Sequence, residues 1–263
     1  MDNLSRPNIA RVWNAALGGK DNFALDRALL ADITEVAPQF RDLAKANEEF
    51  KLRACKRLTR ELGITQYLEL SCGLPAEGVY LHEVVTALNP MARVLYVDGD
   101  PIVVSHARGQ IAGDRRALAL EADAVDPDRL LQRDEVRFLD WTKPIAIICT
   151  ATLHYHSGEL AAAVMQTYID AAPPGSCTVL SHFLDPEDAS TGAVRRIEKQ
   201  LHASPVGTGA FRTLAEIRAL FPDQDLLDPG VVRCYQWPDL DTEAASWIQG
   251  CVAGGVGQKR TTA

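Results

Sequence analysis

Three carboxylate-bearing turns follow successive apolar runs in the order a nucleoside site requires. After the run 67–70 comes Glu69-Leu70-Ser71-Cys72-Gly73-Leu74-Pro75, where a glycine-bearing turn lets a ligand approach the backbone closely. After the run 94–97 comes Asp98, about 25 residues past Gly73, placed to accept hydrogen bonds from both ribose hydroxyls. After the run 117–120 comes Glu121-Ala122-Asp123-Ala124, where a carboxylate can accept from an adenine amino group. Each turn alone is also what a cap or a tight connection uses. Their sequence across three consecutive units points to a nucleoside-bearing ligand.

Two histidines close the fourth and fifth runs, His154 and His182. Each follows a strand-like run, where a ring of near-neutral pKa can take a proton from a nucleophile. The plainer role for each is to cap a strand end or bond backbone. His82, His106, His156 and His202 rank below them. Trp13, Phe23 and Tyr155, with Asn22 beside Phe23, are candidates to wall a substrate pocket, although Trp13 also falls at core spacing in a helix.

These residues need elements to hold them. Residues 9–17, 25–36 and 40–62 carry apolar positions at helical spacing, closed by Gly18-Gly19, Pro38 and Gly63. Beyond them, apolar runs at 67–70, 94–97, 117–120, 145–149 and 177–180 alternate with helical stretches, which predicts a parallel sheet covered on both faces. Asp100-Pro101, Asp126-Pro127 and Asp185-Pro186 read as helix starts, because aspartate caps and proline suits the first turn. Ser157 and the Thr213–Glu216 capping box add two more. Residues 225–227 and 231–235, joined by Asp228-Pro229-Gly230, predict an antiparallel hairpin. The glycine-rich end predicts a fraying tail. The expected division is therefore a helical extension over 1–62, an α/β domain over 63–250 and a flexible tail over 251–263.

Composition narrows the class. The 263 residues are 47% hydrophobic and 24% charged, the mixture of an ordinary globular protein. Net charge is −8 with pI near 5.3, and no basic stripe is present, which argues against nucleic acid. No apolar run reaches membrane length and no leader pattern opens the chain, so a cytoplasmic protein off the membrane is expected. The six cysteines form no CxxC pair and no zinc spacing, so no metal is expected; Cys149 and Cys177 read as core residues.

At this point the residues carry a resemblance. The chain resembles the class I S-adenosylmethionine-dependent methyltransferases and, more narrowly, a bacterial family of S-adenosyl methyltransferases first catalogued as a domain of unknown function. The narrow match runs through Arg11-Val12-Trp13, Leu17-Gly18-Gly19-Lys20-Asp21-Asn22-Phe23-Ala24, Gly73-Leu74-Pro75, His82-Glu83-Val84 and Tyr96-Val97-Asp98-Gly99-Asp100-Pro101. It continues through residues 121–127, Leu153-His154, Pro174-Gly175-Ser176, Leu180-Ser181-His182 and Pro229-Gly230-Val231-Val232. The resemblance implies a Rossmann-like seven-stranded sheet with its last strand antiparallel, helices on both faces, and an N-terminal helical extension over the cofactor mouth. It implies S-adenosylmethionine as cofactor, with Glu69 opening the first motif, Gly73 under the methionine moiety, Asp98 on the ribose and Asp123 at the adenine edge. Ser71, Ala124 and Thr150 complete the implied cofactor set. In the implied sheet the fourth and fifth strands are neighbours, so His154 and His182 would face one cleft. The departures are Ser71, where the family has glycine, and one extra residue between Pro75 and His82.

Two functional readings follow. In the first, the protein methylates a small molecule of specialised metabolism, alone, as a homo-oligomer or with a partner enzyme. In the second, prompted by Ser71, the fold has been turned to a non-methylating reaction, such as ring closure by internal displacement or elimination, or to service as a partner subunit.

Overall fold

A computed structural model describes residues 6–75 and 79–261. Three helices lead: α1 (Ile9–Ala16), α2 (Ala24–Val36) and α3 (Phe40–Glu61). Then strands alternate with helices: β1 (Gln66–Leu70), α4 (Leu81–Leu88), β2 (Arg93–Asp98), α5 (Pro101–Gln110), β3 (Ala117–Glu121), α6 (Pro127–Leu131), β4 (Ala146–Thr150), α7 (Gly158–Ala171) and β5 (Cys177–Phe183). The chain ends with α8 (Thr191–Ala203), α9 (Leu214–Arg218), β6 (Gln224–Leu226), β7 (Val232–Arg233) and β8 (Val252–Lys259).

The sheet has the order β3-β2-β1-β4-β5-β8-β6, with the short β7 also paired to β8. β1 to β5 are parallel, and β8 runs antiparallel between β5 and β6. The path of seven strands with one reversed near its end is the expected α/β architecture, and the eighth strand is a two-residue addition.

Both faces of the sheet are buried, which is why the strands read as continuous apolar runs. Alternate side chains serve different cores. Tyr67, Tyr96, Ile148 and Val179 pack with α3 and its neighbours, whereas Leu68, Val97, Ile147 and Leu180 pack with α7 and α9. Asp100, Asp126, Ser157 and Thr213 cap their helices as the sequence predicts, each accepting from a backbone N–H of the first turn.

Three expectations fail. Asp185-Pro186 starts no helix: α8 begins at Thr191, and Asp185 instead accepts from Glu187 N at 3.0 Å and Thr191 Oγ1 at 2.7 Å. Residues 225–227 and 231–235 form no hairpin. β6 and β7 pair with different parts of β8, so Asp228-Pro229-Gly230 is a step between two pieces of one edge. The glycine-rich end is no flexible tail either; it is the buried strand β8, and the glycines are there because neighbours come close. A Cβ on Gly254 would stand 2.7 Å from the Phe50 ring and 2.8 Å from the Leu180 carbonyl. The extra residue before His82 involves 76–78, outside the described residues. No helix of the described residues is long and apolar enough to cross a membrane.

Candidate active site

The sheet order reverses between β1 and β4, and in open sheets ligands bind at the carboxyl ends of strands near such a point. A cavity of about 350 Å³ opens there. Its floor is Glu69, Ser71 and Gly73 from β1 and its turn, Asp98 from β2, and Thr150 from β4; α1 supplies part of the roof through Trp13.

Asp98 organises the floor. Its Oδ2 accepts from Gly73 N at 3.0 Å and its Oδ1 from Asp100 N at 2.9 Å, so one carboxylate ties the first two turns together. Burial raises its pKa, and those backbone donors oppose the rise. Gly73 has φ +63°, and a Cβ there would meet nothing within 4 Å, so open space lies over its backbone.

Two of the four non-glycine residues with positive φ among the described residues flank the reversal. Ser71 and Ala151 hold φ near +50° and +51°, the left-handed region that favours glycine, and both line the cavity. The backbone of the first turn therefore keeps a glycine-type path with serine in place. Residues held this way persist where surrounding structure over-determines them.

An ion-paired ladder borders the floor. Lys51 Nζ on α3 lies 2.9 Å from Glu69 Oε1 and 2.9 Å from Glu48 Oε2. Burial alone would lower the Lys51 pKa, but the two carboxylates outweigh it and leave it raised. Burial raises the Glu69 carboxyl, with Lys51 working against it. Glu69 Oε2 is buried without a hydrogen-bond partner among the described residues. These three side chains were legible only in part, since the sequence marked Glu69 but not the polar face of α3 at 47, 48 and 51.

The N-terminal segment is fastened over the cavity by buried polar contacts. Arg11 Nε meets Asp26 Oδ2 at 2.9 Å, and Arg11 Nη1 meets Asp100 Oδ2 at 3.5 Å. Asn14 Nδ2 donates to Pro75 O at 3.4 Å. Asn22 is part of this framework, not the pocket, with Nδ2 donating to Asn14 Oδ1 and Gly19 O. Phe23 is exposed on the outside, with the Arg11 guanidinium 5.4 Å from its ring centre.

Two expected pocket residues do meet: Trp13 Nε1 donates to Tyr155 Oη at 3.2 Å, and both line the cavity. The two histidines favoured by sequence lie beside one another, ring centres 5.7 Å apart, but neither lines it. His154 is fully buried and stacked on Phe183 at 3.6 Å, and neither ring nitrogen has a partner among the described residues. His182 Nδ1 donates to Phe183 O at 2.8 Å, while its Nε2 accepts from Arg212. Burial holds both pKa values down, His182 to about 3 with further help from Arg212. Rings so placed cannot exchange protons with a ligand, so the base assignment to His154 and His182 is withdrawn. His156 lines the cavity instead. Burial lowers its pKa, Asp123 opposes that, and Arg212 adds to it.

Asp123 and Ala124 lie beyond the cavity. Asp123 lines an adjoining hollow that shares Gly99 with it, and its Oδ1 accepts from Val125 N. Ala124 is buried, and its carbonyl accepts from Tyr168 Oη at 2.8 Å. Among the described residues no group of three or more His, Cys, Asp or Glu side chains could hold a metal ion.

Comparison with known proteins gives this geometry a context. The model of the family described as S-adenosyl methyltransferase matches residues 2–260. A protein of Thermobifida fusca described as a methyltransferase is 36% identical, with TM-score 0.91 over 98% of this chain and 97% of that one. A DUF574 family protein of Streptomyces avermitilis is 29% identical, with TM-score 0.90 over 98% and 100%. The magnesium protoporphyrin IX methyltransferase of Synechocystis, solved with S-adenosylhomocysteine bound, shares the fold at 13% identity and TM-score 0.56, over 94% of this chain and 93% of that one. No curated protein matches the sequence.

Proposed function

The chain belongs to the S-adenosyl methyltransferase family, and from that premise we propose that it transfers the methyl group of S-adenosylmethionine to a small molecule. The observation that carries the reading is the Asp98–Gly73 hydrogen bond, which sets the first two turns of the motif around open space at the sheet's reversal point. The residues fit the cofactor. The partnerless oxygen of Glu69 suits an ammonium group, and Gly73 leaves room for the chain of the amino-acid end. Asp98 suits the ribose hydroxyls. Asp123 and Gly99, which line the adjoining hollow, suit the adenine edge, while Thr150 stays on the cavity floor and Ala124, its carbonyl taken by Tyr168, lines neither space. When bound, the cofactor supplies a sulfonium methyl open to attack.

The chain's own residues would do the rest. A methyl transfer needs its nucleophile held in line, and much of the rate comes from that positioning. Trp13, Tyr155 and Thr152 wall the acceptor side, and α1 limits water. A nucleophile that carries a proton must lose it, and a ring nitrogen of His156 is placed to accept it, the lowered pKa keeping the ring neutral near pH 7. The cavity volume falls within the range of small-ligand pockets, and the acidic surface disfavours a polyanionic acceptor. A place in specialised metabolism is part of the same proposal. Ser71 prompted the non-methylating alternative, but its left-handed backbone keeps the turn's path and leaves that alternative without support here.

The test is isothermal titration with S-adenosylmethionine and S-adenosylhomocysteine, on the native chain and on Asp98→Ala. The reading expects micromolar binding that weakens at least about tenfold in the variant, since a charged hydrogen-bond partner is worth about 1.5–3 kcal/mol. Equal affinity in both proteins would sink it.

A further inference from the structure

The turn that carries Tyr155 and His156 into the cavity has little structure of its own. It is a single 3₁₀ turn, Leu153–Tyr155, closed by His156 N donating to Leu153 O at 3.2 Å. A remote segment, residues 208–212, supplies what is missing. Arg212 Nη1 donates to Leu153 O at 3.2 Å, and Ala210 N to His154 O at 2.8 Å. Thr208 Oγ1 donates to Tyr155 O at 2.9 Å, and Arg212 Nη2 to His156 O at 2.8 Å. Four consecutive carbonyls of one turn are thus held by three residues of another, Thr208, Ala210 and Arg212.

The holding segment is itself fixed. Arg212 N donates to Phe183 O at 3.0 Å, Asp185 N to Arg212 O at 2.8 Å, and Phe211 N to Glu198 Oε1 at 2.6 Å. Phe211 stacks on Phe183 at 4.9 Å. Gly209 lies so close to α8 that a Cβ would stand 2.6 Å from Leu201 Cδ1. The guanidinium fork therefore links the end of β5 to the first and last carbonyls of the turn, a two-point grip that only a planar, multi-donor side chain provides.

We infer that Arg212, with Thr208 and Ala210, is a positioning residue for the acceptor side of the cavity, fixing where Tyr155 and His156 stand without touching ligand itself. The inference rests on the proposed function, because it assigns a purpose to the placement of His156. Its consequence is that an acceptor-side defect can arise from a residue that lines no part of the cavity.

The experiment follows the His156 ring by proton NMR during a pH titration, with its signal assigned by loss in His156→Gln. The native chain is compared with Arg212→Lys and Thr208→Val, and each protein is titrated with S-adenosylhomocysteine. Lysine keeps the positive charge near His156 but cannot grip two carbonyls, so a change isolates the grip from the charge. The expected result in Arg212→Lys is an upward move of the His156 pKa by about half a unit or more as the turn reaches water. Thr208→Val, which removes a single hydroxyl and keeps the fold if Arg212→Lys does not, moves it in the same direction by less. S-adenosylhomocysteine affinity is expected to stay within about threefold, because Glu69, Gly73 and Asp98 stand on other strands. An unchanged His156 titration in the folded variants overturns the inference, as does a large loss of affinity without a change at His156. Failure of the native chain to bind S-adenosylhomocysteine would instead remove the cofactor reading and leave the His156 result to be judged separately.

Discussion

Serine at 71 sits where a left-handed backbone costs a non-glycine residue about 1–2 kcal/mol. Ser71→Gly relieves that strain, less up to about 1 kcal/mol for glycine's greater freedom when unfolded. The expected outcome is a gain of up to about 1 kcal/mol in urea unfolding with S-adenosylhomocysteine affinity kept; a loss of more than about 1 kcal/mol would mean the Ser71 side chain supports the turn. The buried histidines make a second residue-level prediction. His182 has a folded pKa of about 3 against an ordinary 6.5, so between those values the unfolded chain takes up a proton that the folded one refuses. No penalty applies above pH 6.5. As pH falls through the window, stability drops by up to about 1.4 kcal/mol per pH unit for this ring, and His154 acts in the same direction. Unfolding measured from pH 7 to pH 5 should show the drop, and His154→Leu should flatten it without loss of S-adenosylhomocysteine binding. A variant that unfolds as steeply as the native chain would contradict the account. Which histidine faces the cavity was not legible, because a 3₁₀ turn directs residues 154 and 156 differently and sequence gives no parity for it.

At the scale of elements, β8 decides how the sheet ends. Its glycines hide it from any pattern based on apolar or β-branched residues, yet it pairs with β5 along Cys177–Phe183 and with β6 and β7 on its other edge. Gly254→Ala places a methyl against both Phe50 and the Leu180 carbonyl. Overpacking of that kind costs about 1–3 kcal/mol, and here backbone stands on one side, so the upper end is expected in denaturant unfolding. Removing residues 252–263 should prevent folding, read as loss of the cooperative transition. A truncated chain that unfolds like the native one would mean that this segment is dispensable. The first five strands were legible because burial on both faces writes each one as an apolar run, and three of the helix starts because Asp-Pro or a capping box marks them. Asp185-Pro186 carried the same signal and starts no helix, its carboxylate being taken by Thr191 and Arg195.

For the whole molecule, three separate parts of the chain converge on one cavity: the turns after β1, β2 and β4, the polar face of α3, and α1 as a cover. The first of these was readable from residue order, since Gly73, Asp98 and Thr150 occupy strand ends that any parallel sheet gathers. The other two depend on tertiary docking. Lys51 reaches Glu69 only because α3 packs on the sheet, and Arg11 reaches Asp100 only because α1 folds back across it. The acidic balance of the surface and the modest volume of the cavity suit a small acceptor.

The most direct measurement is a crystal structure of the protein with S-adenosylhomocysteine. The account predicts the amino-acid end beside Glu69 and Gly73, the ribose hydroxyls on Asp98, and the adenine directed toward Asp123, with α1 closed over it and His156 facing the thioether sulfur side. Ligand bound elsewhere, or none at millimolar concentration with the cavity intact, would contradict it.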